Sequence, residues 1–439
     1  MPYVPRRNCQ PVVQAMRKSS PVILIHSTLW WPLAARLAIR FRDLGSRVHA
    51  ICPPVHPLHH IRGIEHCRSI RSLSVQLSLI DSIEDSQADY VVPTDDRAVL
   101  QLHSLAASHP QYRELVARSL GDSKGFAVVR SRVNLLALAE SLQILTPQTI
   151  PLSNEKDVTD YASGWRYPAV IKRDGTFGGR GVAVVSSPQE LIEAYRRLHR
   201  NTSAIAKLKR RLVDDDIMAF FLPDTQFDQK ISLQSFVAGT PANAMYACFK
   251  GELLATLQVR TLCAQHATGA ALIVERMNDP RIEDAGRKLA KALSYSGFLG
   301  LDFLLKSGSG IPYLLEMNPR ATQLGHLPID NSRNGRNLAE ALWLAWTENV
   351  PPPPALADGA SSAPQRIAFY PQALALGSNN PLLASAWLDC PDEEPDLARE
   401  LSKMRWPERR LIYRLFHRLY TIPPDEPVIF PDAMKTCHV

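Results

Sequence analysis

The sequence predicts an α/β protein in which a parallel-sheet domain precedes two further lobes, and three stretches of its 439 residues carry that prediction. Residues 21–120 alternate short apolar runs with helical periodicity, the pattern of βαβ units. Residues 171–185, IKRDGTFGGRGVAVV, place four of the chain's 21 glycines between two strand-like runs. Further on, GFLGLDFLL and IPYLLEMNPR, joined by Lys306-Ser307-Gly308-Ser309-Gly310, read as a β-hairpin.

The elements follow in order. Val22–Ile25 is a short buried strand, Pro32 to Leu44 an amphipathic helix ending at Gly45, and Val48–Ile51 a second strand. Tyr90-Val91-Val92 is a strand stopped by Pro93, after which Thr94-Asp95-Asp96 can cap a helix. Such a parallel sheet binds ligands near the carboxyl ends of its strands. The first strand runs into HSTLWWP, not G-x-G-x-x-G, so a dinucleotide fingerprint is absent; Trp30 and Trp31 suit a pocket wall or core packing equally. Residues 131–145 read as helix, TPQTIP as an extended entry, and Pro188 to Leu212 as a long basic helix beyond the glycine hairpin. ISLQSFVAGT is a strand closed by Gly239; strands around 243–260, a helix near 280–296, the hairpin and a helix from Arg336 to Trp346 complete this part. VPPPPALADGASSAP, 350–364, is a linker by composition. The boundaries are then a tail at 1–19, an α/β domain at 20–125, a glycine-lid lobe at 126–238, a carboxylate-bearing lobe at 239–349, the linker, and a helical extension at 365–439. In that extension Leu411, Leu415 and Leu419 form one helical stripe among arginines, read as a helix docking on the body, or as a nucleic-acid or membrane surface.

Composition narrows the class. A hydrophobic fraction of 45% with 21% charged residues describes a globular protein, and no apolar run approaches bilayer length. The first 42 residues lack acidic side chains, faintly as in a transit peptide, but a loose tail is the simpler reading. The seven cysteines are scattered and form no C-x-x-C pair, so neither a disulfide framework nor a zinc site is implied and a reducing cytoplasm is expected. A net charge of +7 suits a protein handling anions such as nucleotides.

The chemistry sits in two places. Glycine lets the backbone approach a ligand closely, so Gly175, Gly178, Gly179 and Gly181 can turn consecutive N–H groups onto a phosphate, with Lys172 adding a charge. Alone, that reading competes evenly with a plain surface hairpin, and no Walker pattern is present. In LDFLL…YLLEMNPR, Glu316 and Asn318 share one strand face and Asp302 can meet them from the partner strand. Two carboxylates and a carboxamide oxygen are hard ligands suited to Mg2+, and Arg320 follows as a fork for a phosphoryl oxygen.

Together, IKRDGTFGGRGV and LLEMNPR closely resemble the ATP-grasp superfamily, over roughly residues 21–345. The resemblance implies an α/β ATP-grasp fold: an N-terminal βαβ pre-ATP-grasp domain, two lobes clasping ATP, and here a C-terminal extension. It implies that Lys172 and, in place of the more usual lysine, Arg132 contact the phosphates, with Lys124 the lesser candidate for that place. Gly175, Thr176, Phe177, Gly178, Gly179, Gly181 and Val182 form the lid; Gln234, Ser235, Phe236 and Val237 form the adenine-reading hinge. Asn243 is the one residue near the ribose position, where relatives carry glutamate. Asp302, Glu316 and Asn318 match the metal ligands, and Arg260 and Arg320 the catalytic arginines. Thr322, Gln323 and His326 depart from the usual turn after NPR and could mark an unusual acceptor.

The implied cofactors are ATP and Mg2+, as two ions, with Mn2+ able to substitute. The implied activity is an ADP-forming carboxylate–amine ligase that makes an acylphosphate from a small-molecule or amino-acid carboxylate, which an amine attacks. Two alternatives stay open: a bicarbonate-using carbamoyl-phosphate or carboxylase-type enzyme, and a non-catalytic nucleotide-binding protein. Small-molecule carboxylate and amine partners and a homodimer are expected, with no membrane or nucleic-acid partner.

Overall fold

The computed structural model describes residues 20–71, 74–175, 181–199, 230–329, 336–348, 365–403, 406–419 and 427–430. The N-terminal domain runs β1 (Val22–His26), α1 (Pro32–Asp43), β2 (Arg47–Cys52), β3 (His66–Ser69), α2 (Val75–Ser86), β4 (Tyr90–Pro93), α3 (Asp96–Ser108) and α4 (Arg113–Leu120). Its four strands are parallel, as the βαβ pattern predicts, in the order β3-β2-β1-β4, with β3 an addition to the three strands read from the sequence. Proline at the first turn starts α1, and Asp95 caps α3 by accepting from the Ala98 N–H at 3.0 Å.

The second lobe begins with α5 (Arg132–Ser141), capped by Ser131, which accepts from Asn134 N–H at 3.3 Å. It continues through β5 (Thr149–Leu152), α6 (Glu155–Ala162), β6 (Ala169–Arg173), β7 (Val182–Val185), α7 (Pro188–His199) and β8 (Ile231–Ser235). The strands pair antiparallel in the order β5-β8-β6-β7, and Val158, Ala162, Leu191, Ala194 and Tyr195 cover one face. The described part of the expected basic helix ends at His199; the remainder of that reading lies outside the described residues.

The third lobe holds β9 (Gly239–Phe249), β10 (Glu252–Ala264), β11 (Ala271–Met277), α8 (Pro280–Ala292), β12 (Gly297–Lys306), β13 (Pro312–Asn318) and α9 (Leu338–Glu348). The region beyond the linker corrects one expectation. It is not a purely helical extension, because β14 (Arg366–Phe369), β15 (Trp387–Asp389) and β16 (Val428–Ile429) join the third-lobe sheet, alongside α10 (Pro395–Ser402) and α11 (Leu411–Leu419). The sheet order is β13-β12-β9-β10-β11-β14-β15, with β16 on β10. RIAF and WLD are too short to show period-two alternation and become strands by adding to a preformed edge. Of the expected leucine stripe of α11, Leu411 is 68% and Leu415 51% exposed rather than docked, and the Leu419 side chain lies outside the described residues.

One face of the large sheet and the N-terminal domain bury a shared core. Helix α1 is buried nearly all round because it lies between them, with Leu37, Ala38 and Phe41 packed against Met245, Val259 and Phe298. Trp346 of α9 stacks on Phe41 at 5.6 Å and on Tyr90 at 4.1 Å, tying three elements together. Trp31 packs on this core and Trp30 on a neighbouring one, so the tryptophans take the packing alternative. A buried cluster of one ion pair and one histidine hydrogen bond fastens the C-terminal region to the rest. Arg36 Nη2 meets Asp389 Oδ1 at 2.7 Å, and His326 Nε2 meets Asp389 Oδ2 at 2.7 Å.

Buried neutral histidines set an acid limit. Burial pulls the pKa of His56 and of His103 down to about 3 and lowers that of His26. Below the ordinary value of 6.5 the unfolded chain takes up these protons and the folded chain does not, so stability falls with pH from about 6.5 towards 3. Each such group contributes on the order of 1 kcal/mol per pH unit across that window. Chemical denaturation at several pH values is expected to show this slope, and His103→Gln to make it shallower.

Candidate functional site

Strand register assembles the carboxylate cluster. Asp302 of β12 lies directly between Asn243 of β9 and Glu316 of β13, so the three side chains share a face. Asn243 Nδ2 donates to Asp302 Oδ1 at 2.6 Å, and Asn318 Nδ2 donates to Asp302 Oδ2 at 3.1 Å. Asn243, placed by the sequence near the ribose, is thus a direct neighbour of the metal-ligand candidates. Burial first, and the charge of Glu316 second, push the Asp302 carboxyl up to about 6 against both amide hydrogen bonds. Gly300 pairs with Asn318, and a Cβ there would lie 2.5 Å from Thr322 Cγ2, so glycine lets the NPR-AT segment fold back over the cluster.

The second lobe faces this cluster with cations. Arg132 opens α5; its Nη1 donates to Asp174 Oδ1 at 2.8 Å, its backbone N–H to Asp174 Oδ2 at 3.2 Å, and its Nη2 meets Glu316 Oε2 at 3.0 Å. Its buried Nε has no hydrogen-bond partner among the described residues. Lys172, at the end of β6, is 7% exposed with no hydrogen-bond partner among the described residues. Burial, then Arg132, pull its ammonium down to about 8 despite attraction to Glu316, Asp302 and Asp174. Asp174, which the sequence reading overlooked, is a buried carboxyl pushed up to about 6 by burial, with Arg132 opposing. It directly precedes Gly175, which turns at φ 72°.

Of the lid candidates, Gly175, Gly181 and Val182 are described, with Arg173 N–H donating to Gly181 O at 2.8 Å. Thr176, Phe177, Gly178 and Gly179 lie outside the described residues. Along the hinge, Gln234 is buried and donates to Thr149 Oγ1 at 3.0 Å, Ser235 and Val237 are half-buried, and Phe236 is 42% exposed.

The structure separates the two arginines expected to act at the acyl centre. Arg320 forks onto Asp96 at the start of α3, both contacts at 2.9 Å, and its Nη2 reaches Asn318 Oδ1 at 3.1 Å. It therefore borders the cluster and joins it to the carboxyl end of β4. Arg260 does not join them. It pairs in register with Ala242, one residue out of step with Asn243, so it projects from the opposite face of the sheet. There its guanidinium grips Glu275, as does Arg366, whose Nε lies 3.1 Å from Glu275 Oε1. Of the acceptor candidates, His326 is buried in the Asp389 pair and serves packing, Thr322 rests on the Met245 sulfur at 3.4 Å, and Gln323 is half-buried.

A model of the carbamoyl-phosphate synthase L chain ATP-binding domain matches residues 131–220, beginning at the cap of α5. Among solved structures, a biotin carboxylase complex from Campylobacter jejuni matches over 75% of this chain and 72% of its own, at 15% identity and a TM-score of 0.54. The biotin carboxylase domain of 2-oxoglutarate carboxylase from Hydrogenobacter thermophilus, a dimer solved with MgADP, ADP and bicarbonate, matches over 74% and 70%, at 14% identity and 0.55. N5-carboxyaminoimidazole ribonucleotide synthetase from Thermus thermophilus matches over 78% and 81%, at 17% identity and 0.53.

The chain has the ATP-grasp fold.

Within that fold the donor set suits the implied nucleotide. Asp302, Glu316 and Asn318 offer hard oxygens for Mg2+. The Lys172 ammonium and Arg132 Nε, unpartnered among the described residues, are buried donors of the sign a polyphosphate needs. No helix among the described residues is long and apolar enough to cross a membrane.

Proposed function

We propose that this ATP-grasp protein is an ADP-forming carboxylate–amine ligase. The observation that carries the reading is the opposition of Lys172 and Arg132 to Asp302, Glu316 and Asn318 across two lobes, with Arg132 touching Glu316 at 3.0 Å. Mg2+ at the oxygen set would neutralise phosphate charge and help the γ-phosphoryl group leave ADP. Lys172 and Arg132 hold the phosphates. A carboxylate oxygen bonds to the γ-phosphorus as the bridging P–O bond to ADP breaks. The amine nitrogen then bonds to the acyl carbon, phosphate leaves, and the amine's proton passes to solvent. Arg320, beside Asn318 and held by Asp96, lies where the N-terminal domain can present the acceptor. Arg260 enters this proposal only as a structural partner of Glu275. A homodimer and a cytoplasmic location remain part of the reading.

Incubation with ATP, Mg2+ and mixed amino acids is expected to release ADP and phosphate in equal amounts, with an amide product visible by mass spectrometry. Release of AMP and diphosphate would contradict the reading. A second reading puts bicarbonate in place of the carboxylate, favoured by the Hydrogenobacter structure, which is a complex with MgADP, ADP and bicarbonate. Bicarbonate-stimulated ATP hydrolysis with no amine present would select it.

A further inference from the structure

Sequence spacing implied no zinc site, yet the fold brings Cys52, His59 and Cys67 together on the N-terminal domain, at the carboxyl end of β2. We propose that Cys52, Cys67 and His59 form a Cys2His site for a thiophilic divalent metal ion, Zn2+ being the chemically best matched. The three ligand atoms span one face of a tetrahedron. The two sulfurs are 3.6 Å apart, and His59 Nε2 lies 3.6 Å from Cys52 Sγ and 3.9 Å from Cys67 Sγ. Zinc bonds of about 2.3 Å to sulfur and about 2.0–2.1 Å to nitrogen, at tetrahedral angles, place two sulfurs about 3.8 Å apart and sulfur and nitrogen about 3.5 Å apart. The cluster's edges lie within about 0.4 Å of these lengths.

Strand register argues for a metal over a disulfide. Cys67 pairs with Ala50 and Cys52 with Ser69, so the cysteines sit two residues out of register on adjacent parallel strands. Strand spacing of about 4.8 Å and a rise of about 3.3 Å per residue put their Cα atoms about 8 Å apart. A disulfide needs about 7 Å or less, so bridging these cysteines would require the strands to slip, whereas a metal fills the gap without movement.

His59 is held for the task. It lies on the 3-10 turn Pro57–His60, started by His56 accepting from Leu58 N–H at 3.2 Å and anchored by buried Leu58. Cys52 is buried, Cys67 half-buried and His59 exposed, so the fourth position opens to solvent and takes water. Binding forms two metal–thiolate bonds and one metal–imidazole bond, displaces metal-bound water, and releases two thiol protons. The ion would clip β2, β3 and the turn together where sequence supplies only short strands.

The test uses the reduced, chelator-treated full-length protein titrated with Co2+. A thiolate-to-cobalt charge-transfer band and tetrahedral d–d bands should saturate at one ion per chain and be erased by one equivalent of Zn2+, with Mg2+ having no effect. Cys67→Ser should abolish the charge-transfer signal of a paired-thiolate site, and His59→Gln should weaken binding at least tenfold. Both variants should bind Mg·ATP like the wild type, showing an intact fold. No saturable band in the wild type, a band unchanged in Cys67→Ser, or formation of a Cys52–Cys67 disulfide without metal uptake would each overturn the proposal.

Discussion

Glu316→Gln is expected to lower ATP turnover by at least about 100-fold while leaving the protein folded. The loss has two sources. The substitution removes a formal charge from the oxygen set that would hold Mg2+, and it removes the anion that Arg132 Nη2 meets at 3.0 Å. Glu316 is 38% exposed at its side chain and the buried Arg132 keeps Asp174 at 2.8 Å, so no buried charge is left unpaired and stability should move by less than about 1 kcal/mol. The split between large catalytic and small structural effect separates the proposed role from a plain Glu–Arg pair. Turnover measured beside a thermal melt decides the matter; near-normal turnover in the variant would remove Glu316 from the metal site.

Asp389→Ala is the corresponding test of architecture, with a loss of about 3–5 kcal/mol expected. Asp389 lies in the C-terminal region, yet it pairs with Arg36 of α1 and with His326 just beyond the NPR segment, all three side chains no more than 5% exposed. Burial works to raise the Asp389 carboxyl, but Arg36 and His326 hold it below the ordinary range. Removing it strands a buried guanidinium, which is why the cost exceeds that of a surface pair. Asp389→Asn keeps the shape and should recover part of the loss. Denaturant titration measures both, and a loss below about 1 kcal/mol would mean that the triad is incidental.

What the sequence made legible follows physical range. Asp302, Glu316 and Asn318 could be grouped because strand alternation fixes faces locally and one hairpin supplies the pairing. The parallel direction of β1, β2 and β4 followed from the βαβ pattern, whereas β3, reached from β2 without an α-helix, was not legible. Arg132 was singled out by resemblance, but its bridge to Asp174 and Glu316 belongs to the packing of two lobes, which no local period encodes. Arg260 was misplaced by a single step of strand parity, which register alone decides. His326 resembled a candidate for acceptor binding because its partner, Asp389, lies beyond a proline-rich linker. Cys52 and Cys67 were unreadable for the same reason: adjacent parallel strands unite residues whose spacing matches no ligand motif.

The most direct measurement is a structure of the protein with Mg2+ and a non-hydrolysable ATP analogue. The account predicts the triphosphate between Lys172 and the β12–β13 carboxylates, with oxygens of Glu316 and Asp302 or Asn318 about 2.0–2.1 Å from the ion. A nucleotide bound elsewhere, with Lys172 still buried and unpartnered, would contradict it.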